Sequence, residues 1–132
     1  MLEKIIFKGV NTLMNYLSVY KEKLVTAIQA AKLVNSGDTV MYASFLGRPY
    51  DFDIELALRK EELNDVKIIS CGGMMPNELH TPIVDDSHEN FVCSSWFLDA
   101  SDRKNHDNYT MFYHPVQFSQ LQDIISSDSF PL

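Results

Sequence analysis

Two loops of small residues hold the groups in this chain best suited to chemistry. Ser44, Phe45, Leu46, Gly47 and Pro49 follow one predicted strand, and Cys71, Gly72, Gly73 and Met74 follow a second. Backbone N–H groups there stand at the carboxyl ends of strands, where open α/β sheets bind ligands. Gly47 would let a ligand come close to the backbone. A plain strand-to-helix turn is the alternative for the first loop, and a surface loop for the second. Ser94, Ser95 and Trp96 close a third predicted strand and border the same end, unless Trp96 is a core anchor, the commoner fate of a lone tryptophan. Arg48 is of a type that pairs with carboxylates and phosphates, but it is assigned to the solvated surface.

Other chemistries find little support. His80, His88, His106 and His114 are scattered, with neither metal spacing nor a Ser–His–Asp order. Asp85–Asp86 and the set Asp99, Asp102 and Asp107 lack the spacing of a calcium loop and read as solvated faces. No metal site is expected. Cys71 and Cys93 form no CxxC motif and read as reduced, buried thiols of a cytoplasmic protein. The net charge of −7 disfavours nucleic acid and anionic membranes as partners. It leaves room for a phosphate held locally by backbone amides.

The elements that must position these loops alternate between strand and helix. Thr26 and Gln29 spell a capping box, and Ala27, Ala30, Ala31, Leu33 and Val34 give one apolar face ending at Gly37. Thr39–Ala43 is an apolar run that reads as a strand buried on both faces. A helix over about 51–62, a strand over Val66–Ser70 and a loop over Cys71–Pro82 follow. Then come a polar turn, a strand over Phe91–Ser95, a helix from Phe97 to about His106 and a strand over Tyr109–Tyr113. A last helix opens at a second candidate capping box, Ser119 and Gln122. This order predicts one α/β domain with a mostly parallel open sheet and flanking helices. Residues 1–18 read as an amino-terminal helix or extension, with Met14 an alternative start.

Four segments give the chain a family likeness. YKEKLVTAIQAAKLVNSGDTV (Tyr20–Val40), LALRKEELNDVKI (Leu56–Ile68), ENFVCSSWFLDASDRK (Glu89–Lys104) and YHPVQFSQLQDI (Tyr113–Ile124) keep the order and spacing seen in one family. Together they resemble the amino-terminal portion of the acetyl-CoA hydrolase/transferase family, of the butyryl-CoA:acetate and 4-hydroxybutyrate CoA-transferase type. The resemblance implies that residues 19–132 are an incomplete CoA-transferase amino-terminal domain. In such enzymes two related α/β halves face each other, and CoA moves between carboxylic acids by covalent catalysis at a glutamate. Loop amides stabilise the developing oxyanions. Coenzyme A is then a substrate, and no cofactor is expected.

The resemblance places Ser44, Phe45, Leu46, Gly47, Pro49, Gly72, Gly73, Ser94, Ser95 and Trp96 along the acyl-CoA cleft. It assigns no catalytic residue. The family's nucleophile lies in the carboxy-terminal half, and none of Glu3, Glu22, Glu55, Glu61, Glu62, Glu78 and Glu89 has its glycine-rich context. Ser94 stands where many relatives have Asn, and Gln122 where a Pro is common. The expected function is that of an amino-terminal part of a short-chain acyl-CoA:carboxylate CoA-transferase, supplying the non-nucleophilic half of the cleft and inactive alone. The alternatives are a non-catalytic subunit or remnant that needs a partner chain, and a small α/β binding domain without CoA affinity. Exposed sheet edges predict self-association.

Overall fold

The computed structural model describes residues 16–73 and 78–126. Met74, expected in the second loop, lies outside them. The elements run α1 (residues 16–23), α2 (Ala27–Ala31), β1 (Thr39–Met41), α3 (Tyr50–Ala57), β2 (Val66–Ser70), α4 (Thr81–Val84), β3 (Phe91–Ser95), α5 (Ala100–Asp107), β4 (Phe112–Tyr113) and α6 (Leu121–Ser126). The four strands form one sheet in the order β1-β2-β3-β4, and every pairing is parallel. The predicted α/β fold with a parallel open sheet is the observed one. All post-strand loops therefore leave at the same end.

Strand alternation sorts the side chains onto two faces. Val40, Tyr42, Val66, Ile68, Phe91 and Cys93 join Ala31, Val34, Leu56, Leu63, Leu79 and Met111 in the main core. Ile69, Cys71 and Trp96 form a second cluster, partly covered by Val116 and Leu121. On that second face Met41, Ile69, Ser94 and Phe112 lie in one row across all four strands. A groove of about 370 Å³ opens there, lined by Val92, Ser94, Phe112, Tyr113 and His114.

Several boundaries differ from expectation for local reasons. β1 is not buried on both faces: Thr39 and Met41 are exposed, because β1 is an edge strand whose second face has little cover. The Thr26–Gln29 capping box forms as spelled. Its helix ends at Ala31, where the guanidinium of Arg59 donates to the carbonyls of Ala31 and Val34. Gly37, at φ 83°, instead turns the chain into β1. Leu33 is thereby left exposed. Tyr109 takes a positive φ of 62° after α5, so β4 shortens to Phe112–Tyr113. The second capping box is made by Gln117 and Gln120 rather than Ser119 and Gln122. α4 interrupts what reads as a loop, because buried Asp53 accepts from the N–H of His80 and the hydroxyl of Thr81.

The amino end of the sheet is held by Asp85, which is fully buried rather than solvated. It accepts from the N–H groups of Asn90 (2.9 Å) and Phe91 (2.7 Å) and from the Ser87 hydroxyl (2.7 Å), with Lys60 Nζ at 3.7 Å. Burial alone would raise its pKa. The backbone bond from Phe91, the Ser87 and Asn90 bonds and the Lys60 charge together outweigh burial and hold it below the ordinary carboxylate value. The stability it contributes is therefore complete above the ordinary carboxylate pKa and lost as pH falls through the lower folded value. Replacing Asp85 by Asn should cost roughly 1–3 kcal/mol at pH 7, the range for orphaning buried donors. It should also flatten the acid limb of the stability curve, as measured by urea unfolding from pH 7 down to pH 3.

Candidate functional site

Three loops meet at the carboxyl end of the sheet, and one side chain joins them. Arg48 leaves the loop after β1 and is buried, with its side chain 0% exposed. Its Nη2 donates to Asp102 Oδ2 at 2.7 Å and to Ser70 Oγ, at the end of β2, at 3.2 Å. Its Nη1 donates to Asp99 Oδ2 at 3.2 Å. Asp102 Oδ2 also accepts from Ser95 Oγ, the last residue of β3, at 3.0 Å. Burial by itself would lower the Arg48 pKa. The hydrogen bond and charge of Asp102, followed by the charge of Asp99, reverse that and raise it.

The two aspartates are positioned by α5. Asp99 is its N-cap, and Oδ1 accepts from the N–H groups of Ser101 (2.7 Å) and Asp102 (2.9 Å). This favours an anion at a helix start and leaves Oδ2 for Arg48. Asp102, one turn on, is fully buried. The expectation that Arg48, Asp99 and Asp102 are solvated is thus corrected. The three are paired in the interior, where an isolated charge would be costly, with one guanidinium set against two carboxylates. Asp107 alone of that acidic set is exposed.

The glycines fit around this cluster. A Cβ on Gly73 would stand 2.5 Å from Arg48 Nη1, 2.6 Å from the Tyr50 hydroxyl oxygen and 2.8 Å from Asp99 Oδ2. Only glycine lets the chain pass there. Gly72, at φ 56°, lies beneath the rings of Phe45 and Phe97. Gly47 packs against Ala43, whose Cβ would be 3.0 Å from a side chain at that position. Its small size thus serves packing within the loop.

The expected site residues divide into groups. Ser44, Phe45, Leu46, Gly47, Gly72, Gly73 and Ser95 come together at the carboxyl end. Pro49 caps α3 beside them and lines an open hollow of about 430 Å³ with Ala27, Arg48, Tyr50, Asp51 and Phe52. Ser94 faces the groove on the second side of the sheet, and Trp96, 7% exposed, anchors the second cluster. Not all loop amides are available to a ligand. The N–H of Phe45 is shared between the carbonyls of Cys71 (3.2 Å) and Gly72 (3.3 Å), and that of Gly47 bonds the Ser44 carbonyl at 3.0 Å. In the first loop the N–H groups of Ser44 and Leu46, which have no backbone acceptor among the described residues, are the candidate donors.

Other buried polar and thiol groups are structural. Tyr42 donates to Asp53 at 2.9 Å, and burial followed by the Asp53 charge raises its pKa well above the ordinary value. Cys71 and Cys93 are free and buried, and burial pushes the Cys93 thiol up, so it stays protonated. Among the described residues, no group of three or more His, Cys, Asp or Glu is placed to hold a metal.

Comparison with known proteins bears on what this geometry serves. No protein-family model matches the chain. It is 41% identical over 115 residues to a "Probable butyrate:acetyl-CoA coenzyme A-transferase" of Syntrophomonas wolfei subsp. wolfei, an alignment covering 87% of this chain and 25% of that protein. It is 32% identical over 108 residues to a "Butyryl-CoA:acetate CoA-transferase" of Anaerostipes caccae, covering 82% of this chain and 24% of the relative. The chain thus spans about a quarter of the length of these curated relatives. Among solved structures, RipA from Yersinia pestis superposes with a TM-score of 0.63 at 19% identity, over 81% of this chain and 27% of RipA. A mutant form of RipA gives 0.66 at 19% identity, over 84% of this chain and 27% of that protein. At that identity the likeness concerns the fold.

The Arg48 cluster yields a stability prediction. Arg48→Met leaves buried Asp102 and half-buried Asp99 without their counter-charge and should cost about 3–5 kcal/mol. Gly73→Ala should cost about 1–3 kcal/mol through overpacking. Urea unfolding of both variants beside the wild type measures each cost. A loss below about 1 kcal/mol for Arg48→Met would show that the cluster is not a structural element.

Proposed function

We propose that this chain, related over most of its length to the amino-terminal portion of the butyrate:acetyl-CoA CoA-transferases, forms one wall of an acyl-CoA cleft. The reaction of the whole enzyme is transfer of CoA between a short-chain acyl-CoA and an acetate-like acid. The observation that carries this reading is the junction of three post-strand loops at one end of a parallel sheet, in a sequence 41% identical to a protein so named.

In this reading the wall runs over Ser44, Phe45, Leu46, Gly47, Pro49, Gly72, Gly73 and Ser95. Ser94 and Trp96 support it from the second face of the sheet. The amides of Ser44 and Leu46 are the donors offered to the thioester oxygen, whose charge grows as the acyl carbon is attacked. Arg48 binds no substrate, because both of its terminal nitrogens are engaged by carboxylates. It holds the loops in register.

The nucleophile comes from sequence outside these 132 residues. Of the described glutamates, Glu22, Glu61, Glu62 and Glu89 are exposed, and Glu55 and Glu78 are half-buried. None is bonded to the Arg48 cluster. A partner segment would also cover the apolar groove on the second face and the outer edges of β1 and β4, and without one those surfaces favour self-association. No helix among the described residues is long and apolar enough to cross a membrane, and a cytoplasmic location is part of the same proposal.

The purified chain is expected to bind CoA thioesters weakly and to show no turnover of butyryl-CoA with acetate. Amide chemical shifts during a CoA titration, together with a coupled transferase assay, measure both. Transfer of CoA by the chain alone would refute the placement of the nucleophile, and absence of any CoA binding would refute the cleft wall.

A further inference from the structure

Three apolar side chains stand open beside the ion cluster. Leu46 is 82% exposed, Phe97 56% and Phe45 40%. Single exposed apolar residues are ordinary, but two of these are held in place by backbone and ring contacts. Phe45 has a φ of 54°, disfavoured for so large a side chain. Its N–H is fixed by the carbonyls of Cys71 and Gly72. Its ring meets that of Phe97 with centroids 6.1 Å apart and planes inclined at 63°. Gly72 lies under both rings: a Cβ there would stand 3.1 Å from Phe97 and 3.2 Å from Phe45. Strain of this kind collects where a ligand or switch requires it.

The surroundings decide what such a patch would accept. Beside it, one guanidinium faces two carboxylates, a formal balance of −1. A phosphate or a free carboxylate approaching Gly73 would meet Asp99 with no spare cation from this cluster to receive it. The inclined rings leave no parallel slot for a purine, which prefers stacked faces. A saturated hydrocarbon chain needs neither charge nor a flat partner. It gains by covering Phe45, Phe97 and Leu46.

We infer that Phe45, Leu46 and Phe97 form the contact for the acyl chain of the thioester substrate and set its preference for chain length. This rests on the reading of the loops as an acyl-CoA wall. CoA, acetyl-CoA, butyryl-CoA and hexanoyl-CoA titrated into the 15N-labelled chain test it, with saturation transfer to the acyl methyl group read in parallel. Affinity should rise about two- to fourfold per methylene from acetyl to butyryl, the range for a half to fully buried methylene. Phe97→Ala and Leu46→Ser, both at exposed positions, should flatten that rise, and Phe97→Ala should leave the affinity for CoA itself unchanged. Phe118→Ala, an exposed ring in a different segment, should leave the rise intact.

CoA binding with no dependence on chain length overturns the inference and leaves the cleft reading standing. So does a dependence that survives both Phe97→Ala and Leu46→Ser. Failure of CoA and of every thioester to bind removes both.

Discussion

A guanidinium buried between two carboxylates decides how this molecule is organised. Arg48 cannot leave the interior without taking the counter-charge from Asp99 and Asp102, and loss of Asp102 would leave the guanidinium only the longer bond to Asp99 and the Ser70 hydroxyl. Such a cluster adds little net stability compared with a well-packed apolar one. What it adds is position. Arg48 follows β1, Ser70 ends β2, Ser95 ends β3 and the aspartates begin α5, so one set of hydrogen bonds gathers three separate crossovers. The parallel sheet brings those crossovers to one end, and the ion cluster fixes them to one another.

The two ends of the sheet solve different problems. At the amino end, Asp85 takes up the N–H groups of Asn90 and Phe91, and the Asn90 side chain bonds the carbonyls of Lys60 and Leu63. Those contacts close turns. At the carboxyl end the polar groups are drawn inward, and the surface is left to glycine backbone and apolar rings. The cleft wall proposed for a thioester would use that combination: donors fixed in place, close access to the backbone and little free charge. The proposed cleft wall draws both on this arrangement and on the chain's 41% identity over 115 residues to a protein named as a probable butyrate:acetyl-CoA coenzyme A-transferase.

Much of the framework was legible in the sequence because it is local. The apolar, β-branched runs at Val66–Ser70 and Phe91–Ser95 became strands with those bounds. The Thr26–Gln29 capping box needs only residues three apart. The unread features depend on distant partners. Arg48 meets Asp99 and Asp102 across 51 and 54 residues, and no periodicity marks that pairing. Asp99 as a helix cap was readable from Asp-x-x-Asp before a polar helix, but its second oxygen was not. The apolar run at Thr39–Ala43 suggested a central strand, and only the strand order reveals an edge. α2 ends early because Arg59, 28 residues after Ala31, caps it. Asp53 starts α4 from 28 residues before Thr81.

The central claim is that Arg48 ties three loops into one unit. Hydrogen–deuterium exchange of the wild type and of Arg48→Lys, which keeps the charge but loses the forked donor, tests it most directly. The account predicts that protection falls together at the amides of Phe45, Trp96, Ser101 and Asp102, while the amides of Asn90 and Phe91 at the other end keep theirs. Faster exchange confined to the loop that carries residue 48 would contradict it.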